Sequence, residues 1–203
     1  MITLYGSRRS RAMRCLWALE ELGLEYEHEA FDQADDETHS KAYLALNPAG
    51  KVPTLVDGES VLFESIAINL YLAMTYGEGS LWPKDRRGRA LALQWSVWAA
   101  AEAEPPIVVL ARERVFKPAP SRNEKLAAAA EKELAPRLSV LETVLGRAGP
   151  FLNGSPFSIG DLNVAAVLGI VRVTGFDLGS WPKVNGWLET ALSRPAYQRA
   201  MGR

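Results

Sequence analysis

Cysteine and histidine are almost missing from this 203-residue chain: Cys15 is the single cysteine, and His28 and His39 are the two histidines. One thiol excludes an internal disulfide and a cysteine-based structural zinc site. With so little imidazole, a metal centre would fall almost wholly to carboxylates, so no metal site is expected. No run approaches the ~20 consecutive apolar residues that span a bilayer. The opening MITLYGSRRSR has no apolar stretch of the signal-peptide kind, which points to a cytoplasmic protein with no membrane role. An excess of charge of one sign is lacking too. A formal net charge of −1 gives no general electrostatic ground for binding nucleic acid.

What is present is a large apolar share, 48%, enough for one sizeable domain or two small ones. Charge is unevenly spread: residues 1–77 hold 6 Lys and Arg against 12 Asp and Glu, and the remainder 17 against 12. Two halves of opposite sign suit two domains.

ITLY (2–5) alternates and reads as a buried strand. From Ser10 the period changes, with Ala12, Cys15, Leu16, Leu19 and Leu22 at helical spacing and Gly23 placed to cap the end. Cys15 then reads as a small core residue of that helix rather than a redox group. EYEHEA (25–30) alternates strictly, with three glutamates on one face. Residues 39–46 read as a short helix ending at Asn47-Pro48, because a residue before proline leaves the α region. TLVDGESVLF reads as a hairpin about Asp57-Gly58, and a helix follows with Ser65 at or near its N-cap. The order β-α-β-α-β-β-α over 1–77 predicts a thioredoxin-like domain, with GEGSLWPKD holding the linker, residues 78–84.

Only helices are expected over 85–203, in a helical-bundle domain: roughly 85–115, 121–146, 158–171, 182–192 and a short one from 195. Pro105-Pro106 should bend or break the first, and Pro136 should kink the second. Ser158 with Asp161 three residues on forms an Asp version of the capping box before a helix apolar nearly all round, which belongs at a domain centre.

One stretch is left over. GSRRSR puts two hydroxyls and three arginines, Arg8, Arg9 and Arg11, into a turn that needs only to reverse the chain. It is either a solvated helix start or the seat of a nucleophile or its activator.

Taken together, LYGSRRSRAMR, NPAGKVPTL (47–55), FESIAINLYL (63–72), FSIGDLNVAAVL and the ending WPKVNGWLETALSRPAYQRA resemble a cytosolic glutathione transferase over essentially the whole chain. The likeness is greatest to bacterial members of the serine-using, theta-like branch. The resemblance implies a homodimer that joins the thiolate of glutathione, as co-substrate and with no other cofactor, to a small electrophile in a detoxification role. It implies that Ser65 and the helix start behind it take the γ-glutamyl carboxylate and that Glu64 takes the ammonium. Val52, before a cis Pro53, would pair with the cysteinyl moiety, and Lys51, assisted by His39, would reach the glycyl carboxylate.

Ser7 occupies the position of the branch's serine, where a hydroxyl donating to sulfur stabilises the thiolate. Its rivals are Tyr5, where other classes keep a catalytic tyrosine, and Ser10, where beta and omega-type members keep cysteine. Serine at position 10 cannot form a mixed disulfide, which argues against glutaredoxin-like chemistry. A more apolar pocket for the electrophile would draw on Trp98, Glu102 and Arg112, with Glu102 or Glu104 as candidates to reach the ammonium across the dimer. The alternatives are a non-catalytic relative of the same fold acting through protein contacts, against which retention on immobilised glutathione is a first discriminator, and a glutathione-dependent peroxidase or isomerase.

Overall fold

The computed structural model describes residues 1–32, 34–154 and 156–202. Its first unit comprises Met1–Lys84 and Arg194–Arg203. In β1 (Ile2–Tyr5) the period of two sends Ile2 and Leu4 into the core. β2 (Tyr26–Glu29) runs parallel to it and keeps Glu27 and Glu29 in solvent. β3 (Thr54–Asp57) and β4 (Ser60–Phe63) form the expected hairpin, and β3 lies antiparallel to β1 in the order β2-β1-β3-β4. Among the described residues no strand follows Phe63; only isolated pairs, Glu78 with Trp82 and Phe151 with Gly154, continue extended pairing.

Helix α1 (Ala12–Leu22) stops at Gly23, whose φ of 63° is the left-handed cap, with Leu24 N–H returning to Leu19 O at 3.1 Å. It buries more than one face, including Arg14 and Trp17, because it packs against α3 (Ser65–Tyr76) and also α9 (Pro195–Ala200). Between β2 and β3 a 3₁₀ turn, Asp36–His39, precedes α2 (Lys41–Leu46). Ser40 caps α2 by accepting Tyr43 N–H at 3.1 Å, so His39 closes the turn before the helix instead of opening the helix.

One boundary differs from that which the sequence suggests. The last ten residues, expected within an 85–203 domain, belong with the first unit. Arg194 grips Glu21 with two bonds of 2.6 and 2.8 Å, Arg199 Nε donates to Glu20 at 2.7 Å, and Tyr197 sits edge-on to Trp17 with centroids 4.8 Å apart. These contacts join residues about as far apart as the chain allows, beyond the reach of a local pattern. Ser65, expected at or near the N-cap of α3, is its first helical residue, and the cap is Glu64 at φ 72°.

The second unit, Asp85–Ser193, is helical. α4 (Arg86–Trp98) passes into a π turn at Ala99–Ala103, then α5 (Glu104–Ala111) and a second π turn at Arg112–Phe116. The interruption falls just before Pro105-Pro106: these prolines have no N–H for the preceding carbonyls, and Glu104 N–H reaches back to Ala99 O. α6 (Glu124–Ala148), by contrast, continues through Pro136.

α7 (Ile159–Leu168) is buried along its whole length, as its composition predicts. It lies so close to α4 that a Cβ on Gly160 would come within 3.2 Å of Ala92 Cα. α8 (Pro182–Leu192) completes the unit. No helix among the described residues is long and apolar enough to cross a membrane, and no cluster of His, Cys, Asp and Glu there could hold a metal ion.

Candidate functional site

The turn after β1 is fastened on two sides. Gly6 N–H donates to Glu29 O and Ser7 N–H to Phe31 O, both at 2.9 Å, extending the β1–β2 pairing beyond the strands. His28 Nε2 lies 2.8 Å from Gly6 O, and since a carbonyl only accepts, the proton is on Nε2. Gly6 has φ 123°, and a Cβ there would meet Val52 Cβ at 2.9 Å and Ala12 Cβ at 2.8 Å. Glycine is what lets the first turn close on Val52.

Within that turn the three candidate donors differ. Ser7 is half-buried; its hydroxyl donates to Asp32 Oδ1, and its oxygen accepts Arg9 N–H at 3.2 Å. Ser10 Oγ donates to Ser7 O at 2.8 Å and accepts Ala12 N–H at 3.1 Å, which commits it to starting α1. Tyr5 leaves its ring in an aromatic cluster with Phe31 and Tyr43, centroids 6.1 and 5.8 Å away.

A buried network supports the segment before the cis Val52-Pro53 bond. Lys51 O receives Tyr43 Oη at 2.6 Å and Asn47 Nδ2 at 2.7 Å. Thr54 Oγ1 lies 2.8 Å from Tyr43 Oη and 3.1 Å from Asn47 Nδ2. The directions close consistently: Tyr43 donates to Lys51 O, Thr54 donates to Tyr43, and Asn47 donates to both oxygens. Burial pushes the Tyr43 phenol above its ordinary pKa, against the hydrogen bonds of Thr54 and Asn47, which keeps it a donor. Pro53 is buried, Val52 half-buried and the Lys51 side chain exposed. His39 is exposed, with Nδ1 2.9 Å from Thr38 Oγ1; a Cβ on Gly50 would lie 3.2 Å from Thr38 O, so the two segments adjoin.

At the start of α3, Ser65 is buried and Glu64 exposed. Arg14, 2% exposed, reaches up from α1 to place Nη1 3.3 Å from Ser65 Oγ. The Ser65 oxygen therefore accepts from Arg14, and its proton is left to donate towards an anion at a helix N-terminus. Glu64 at φ 72° is the one described residue other than glycine with positive φ. Such a backbone costs about 1–3 kcal/mol and is concentrated at functional sites. Cys15 lies beneath, wholly buried, with Sγ 3.6 Å from Ser65 O; burial pushes its thiol far up, so it stays protonated and unreactive.

Turn, Val52 and Ser65 are thus gathered around the start of α1. Trp98, Glu102 and Arg112 belong to the second unit, where each meets a protein partner. Trp98 is edge-on to Trp95 at 5.3 Å, Glu102 pairs with Arg137 at 3.2 Å, and Arg112 pairs with Glu113 at 3.0 Å. Glu104, the other acid at the start of α5, is half-buried.

Sequence reasoning missed Asp32, Arg14 and the Tyr43–Asn47–Thr54 network. Arg14 had a usable signal, a charge in the middle of the apolar run AMRCLW. Asp32 had none, because its partner is 25 residues away.

A family model for the Glutathione S-transferase, N-terminal domain, matches residues 1–74, and one for the Glutathione S-transferase, C-terminal domain, matches residues 103–195. Glutathione S-transferase GstB of Escherichia coli strain K12 is 31% identical over 204 residues, which cover 99% of this chain and 98% of that protein. A glutathione S-transferase of Silene vulgaris is 34% identical, covering 98% and 96%. The crystal structure of the theta class glutathione S-transferase from the citrus canker pathogen Xanthomonas axonopodis pv. citri, with glutathione bound, superposes with a TM-score of 0.92 at 32% identity, covering 100% of this chain and 97% of that one.

Proposed function

The chain belongs to the glutathione S-transferase family, and from that premise we propose that it is a serine-using transferase that joins the thiolate of glutathione to a small electrophile. The observation that carries the reading is the first turn. Its one hydroxyl not spent on starting α1 or held in the aromatic cluster is that of Ser7, next in sequence to the Gly6 that lets the turn close on Val52.

Glutathione offers two carboxylates, an ammonium and a thiol between two amides, and the first unit has a counterpart for each. The γ-glutamyl carboxylate takes Ser65 Oγ–H and the α3 N-terminus, with the Arg14 guanidinium behind Ser65 adding positive potential. Glu64 takes the ammonium. The Val52 backbone, held in place through Lys51 O, pairs with the cysteinyl amides, and Lys51, with His39 alongside, takes the glycyl carboxylate. The thiol is left over the first turn. Ser7 donates to the sulfur there and favours the thiolate, the attacking form, which forms a bond to the electrophilic carbon as the leaving group departs. No further cofactor enters this scheme.

Of the three residues expected to serve the electrophile, Glu102 and Arg112 spend their charges on Arg137 and Glu113, and Trp98 keeps an apolar ring edge-on to Trp95. We also read the protein as a homodimer. Leu93 and Val97 form an exposed stripe on α4, 43% and 61% accessible, and Val61 and Phe63 another on β4, 42% and 46%. A second copy would cover such surfaces. A cytoplasmic detoxification role accompanies this reading.

The test is a titration of the bound thiol by its ultraviolet absorbance, with conjugation rates for a panel of electrophiles. Ser7→Ala should raise the pKa of bound glutathione and lower kcat/KM at neutral pH by about 10- to 1000-fold, with recovery as pH rises. Affinity for S-methylglutathione, which has no thiol, should barely move. If the shift appears instead in Ser10→Ala or Tyr5→Phe, the role moves to that residue. If bound thiol titrates as in water throughout, the protein binds glutathione without activating it.

A further inference from the structure

A serine hydroxyl has one proton, and that of Ser7 goes to Asp32 Oδ1. Asp32 is half-buried just after β2 and fixed by its own N–H, which donates to Asp35 Oδ2 at 2.5 Å, while its neighbour Phe31 accepts the Ser7 N–H. Sequence separation hides the pair; the parallel register of β1 and β2, Tyr5 opposite Glu29, creates it. To stabilise a thiolate, Ser7 must point the same proton at sulfur. We propose that Asp32 is a positioning residue that competes with the glutathione sulfur for the Ser7 proton and so limits how far the bound thiol is activated. This rests on the reading of Ser7 as the sulfur's donor.

Two arrangements would use a carboxylate at this place. In a relay, the thiol proton would move to Ser7 Oγ as the Ser7 proton passed to Asp32 Oδ1, leaving a thiolate, a serine hydroxyl and a carboxylic acid. Atoms and charge balance, but carboxylates as a class hold a proton about 10⁴-fold more weakly than thiolates. The proton would not rest there. Competition asks only that the Ser7 hydroxyl rotate about its Cβ–Oγ bond, a rapid motion of a half-exposed side chain. The negative charge of Asp32 acts with the same sign, because a like charge nearby disfavours a thiolate. Asp35 on the same segment adds to it, and Arg8, Arg9 and Arg11 on the turn oppose it.

Asp32→Asn removes the charge and nearly keeps the shape. Bound glutathione is titrated by thiolate absorbance in wild type, Asp32→Asn, Ser7→Ala and the double variant. The expected result is a pKa lowered by about one unit in Asp32→Asn, with kcat/KM at neutral pH raised by up to about tenfold. The shift caused by Ser7→Ala should grow in the Asp32→Asn background, where the hydroxyl is no longer shared with a carboxylate, and S-methylglutathione should bind within about twofold of wild type. A purely structural role would leave thiol pKa and coupling unmoved. Asp32→Ala, which removes the acceptor, has the same expected sign and stands in if the amide variant misfolds. A raised or unchanged pKa in these variants, with the Ser7→Ala shift present, overturns the competition and leaves Ser7 as donor. No shift from Ser7→Ala in either background removes the reading of Ser7 itself.

Discussion

Each unit contains a serine joined to an aspartate, and the two pairs are built to different ends. In the second unit Asp161 is fully buried and accepts Ser158 N–H at 3.1 Å, Ser158 Oγ–H at 2.9 Å, Leu152 N–H at 2.8 Å and Trp187 Nε1–H at 3.2 Å. Burial pushes its carboxyl up, and these four donors oppose the shift. Every oxygen is matched by a protein donor, so nothing remains for a ligand. In the first unit Ser7 and Asp32 are half-buried, and the serine's proton is shared out by geometry that a ligand can change. A saturated pair fixes a fold; an open pair can exchange partners.

The comparison breaks most visibly at Asp161. Asp161→Ala strands four buried donors from three segments of chain and should lower stability by about 3–5 kcal/mol, read as a fall in the urea midpoint. Asp32→Asn should cost under about 1 kcal/mol by the same measurement, as a half-exposed site allows. Equal losses would mean that the first-unit pair is structural too.

Sequence legibility followed distance along the chain. The Ser158–Asp161 box was readable because three residues at a helix start meet whatever the rest of the protein does. The hairpin at 54–63 and the end of α2 at Asn47 were readable for the same reason. Interruption of the first long helix was visible in Pro105-Pro106, though not its form, a π turn over Ala99–Ala103, nor the second π turn at Arg112–Phe116, which has no proline beside it. Ser7–Asp32, Arg14–Ser65 and the docking of α9 on α1 are set by tertiary register, to which composition and period are blind. Glu64 shows the limit well: Ser65 falls where the sequence puts it, at or near the N-cap of α3, but no propensity favours positive φ for glutamate, so nothing local marks Glu64 as the cap.

Ser65 lies between the two extremes, buried like Ser158 but with a single side-chain donor, Arg14, on its oxygen. On the proposed reading its proton serves the γ-glutamyl carboxylate in ground and transition states alike. Ser65→Ala should raise KM for glutathione about tenfold, the loss of about 1.4 kcal/mol, and leave most of kcat. Calorimetric titration with glutathione checks the binding half of the claim. Unchanged affinity would place Ser65 with Ser158, as part of a helix start and nothing more.

The smallest effect concerns a third carboxylate that shows what charged partners add. Glu113 is buried in the second unit and takes Lys117 Nζ at 2.8 Å, Arg112 Nε at 3.0 Å and Asn123 N–H at 3.1 Å. Asp161 is matched by neutral donors alone, and burial wins there; Glu113 faces two cations, and the Lys117 bond foremost holds its carboxyl below the ordinary range, against burial. The sign of the pH dependence follows. A carboxyl with a lower pKa folded than unfolded binds its proton more tightly in the unfolded chain, so stability rises with pH across the interval between the two values. Its contribution is complete above the unfolded glutamate value of about 4.3 and is lost as pH falls through the folded one. Glu113→Gln should therefore melt below wild type at neutral pH, and the gap should close on acidification below about pH 4. Thermal melts of both proteins from pH 3 to pH 7 make the comparison. A gap that stays constant with pH would mean that the two cations do not hold the carboxyl low, and that buried carboxylates in this fold differ by their donors' geometry and not by their charge.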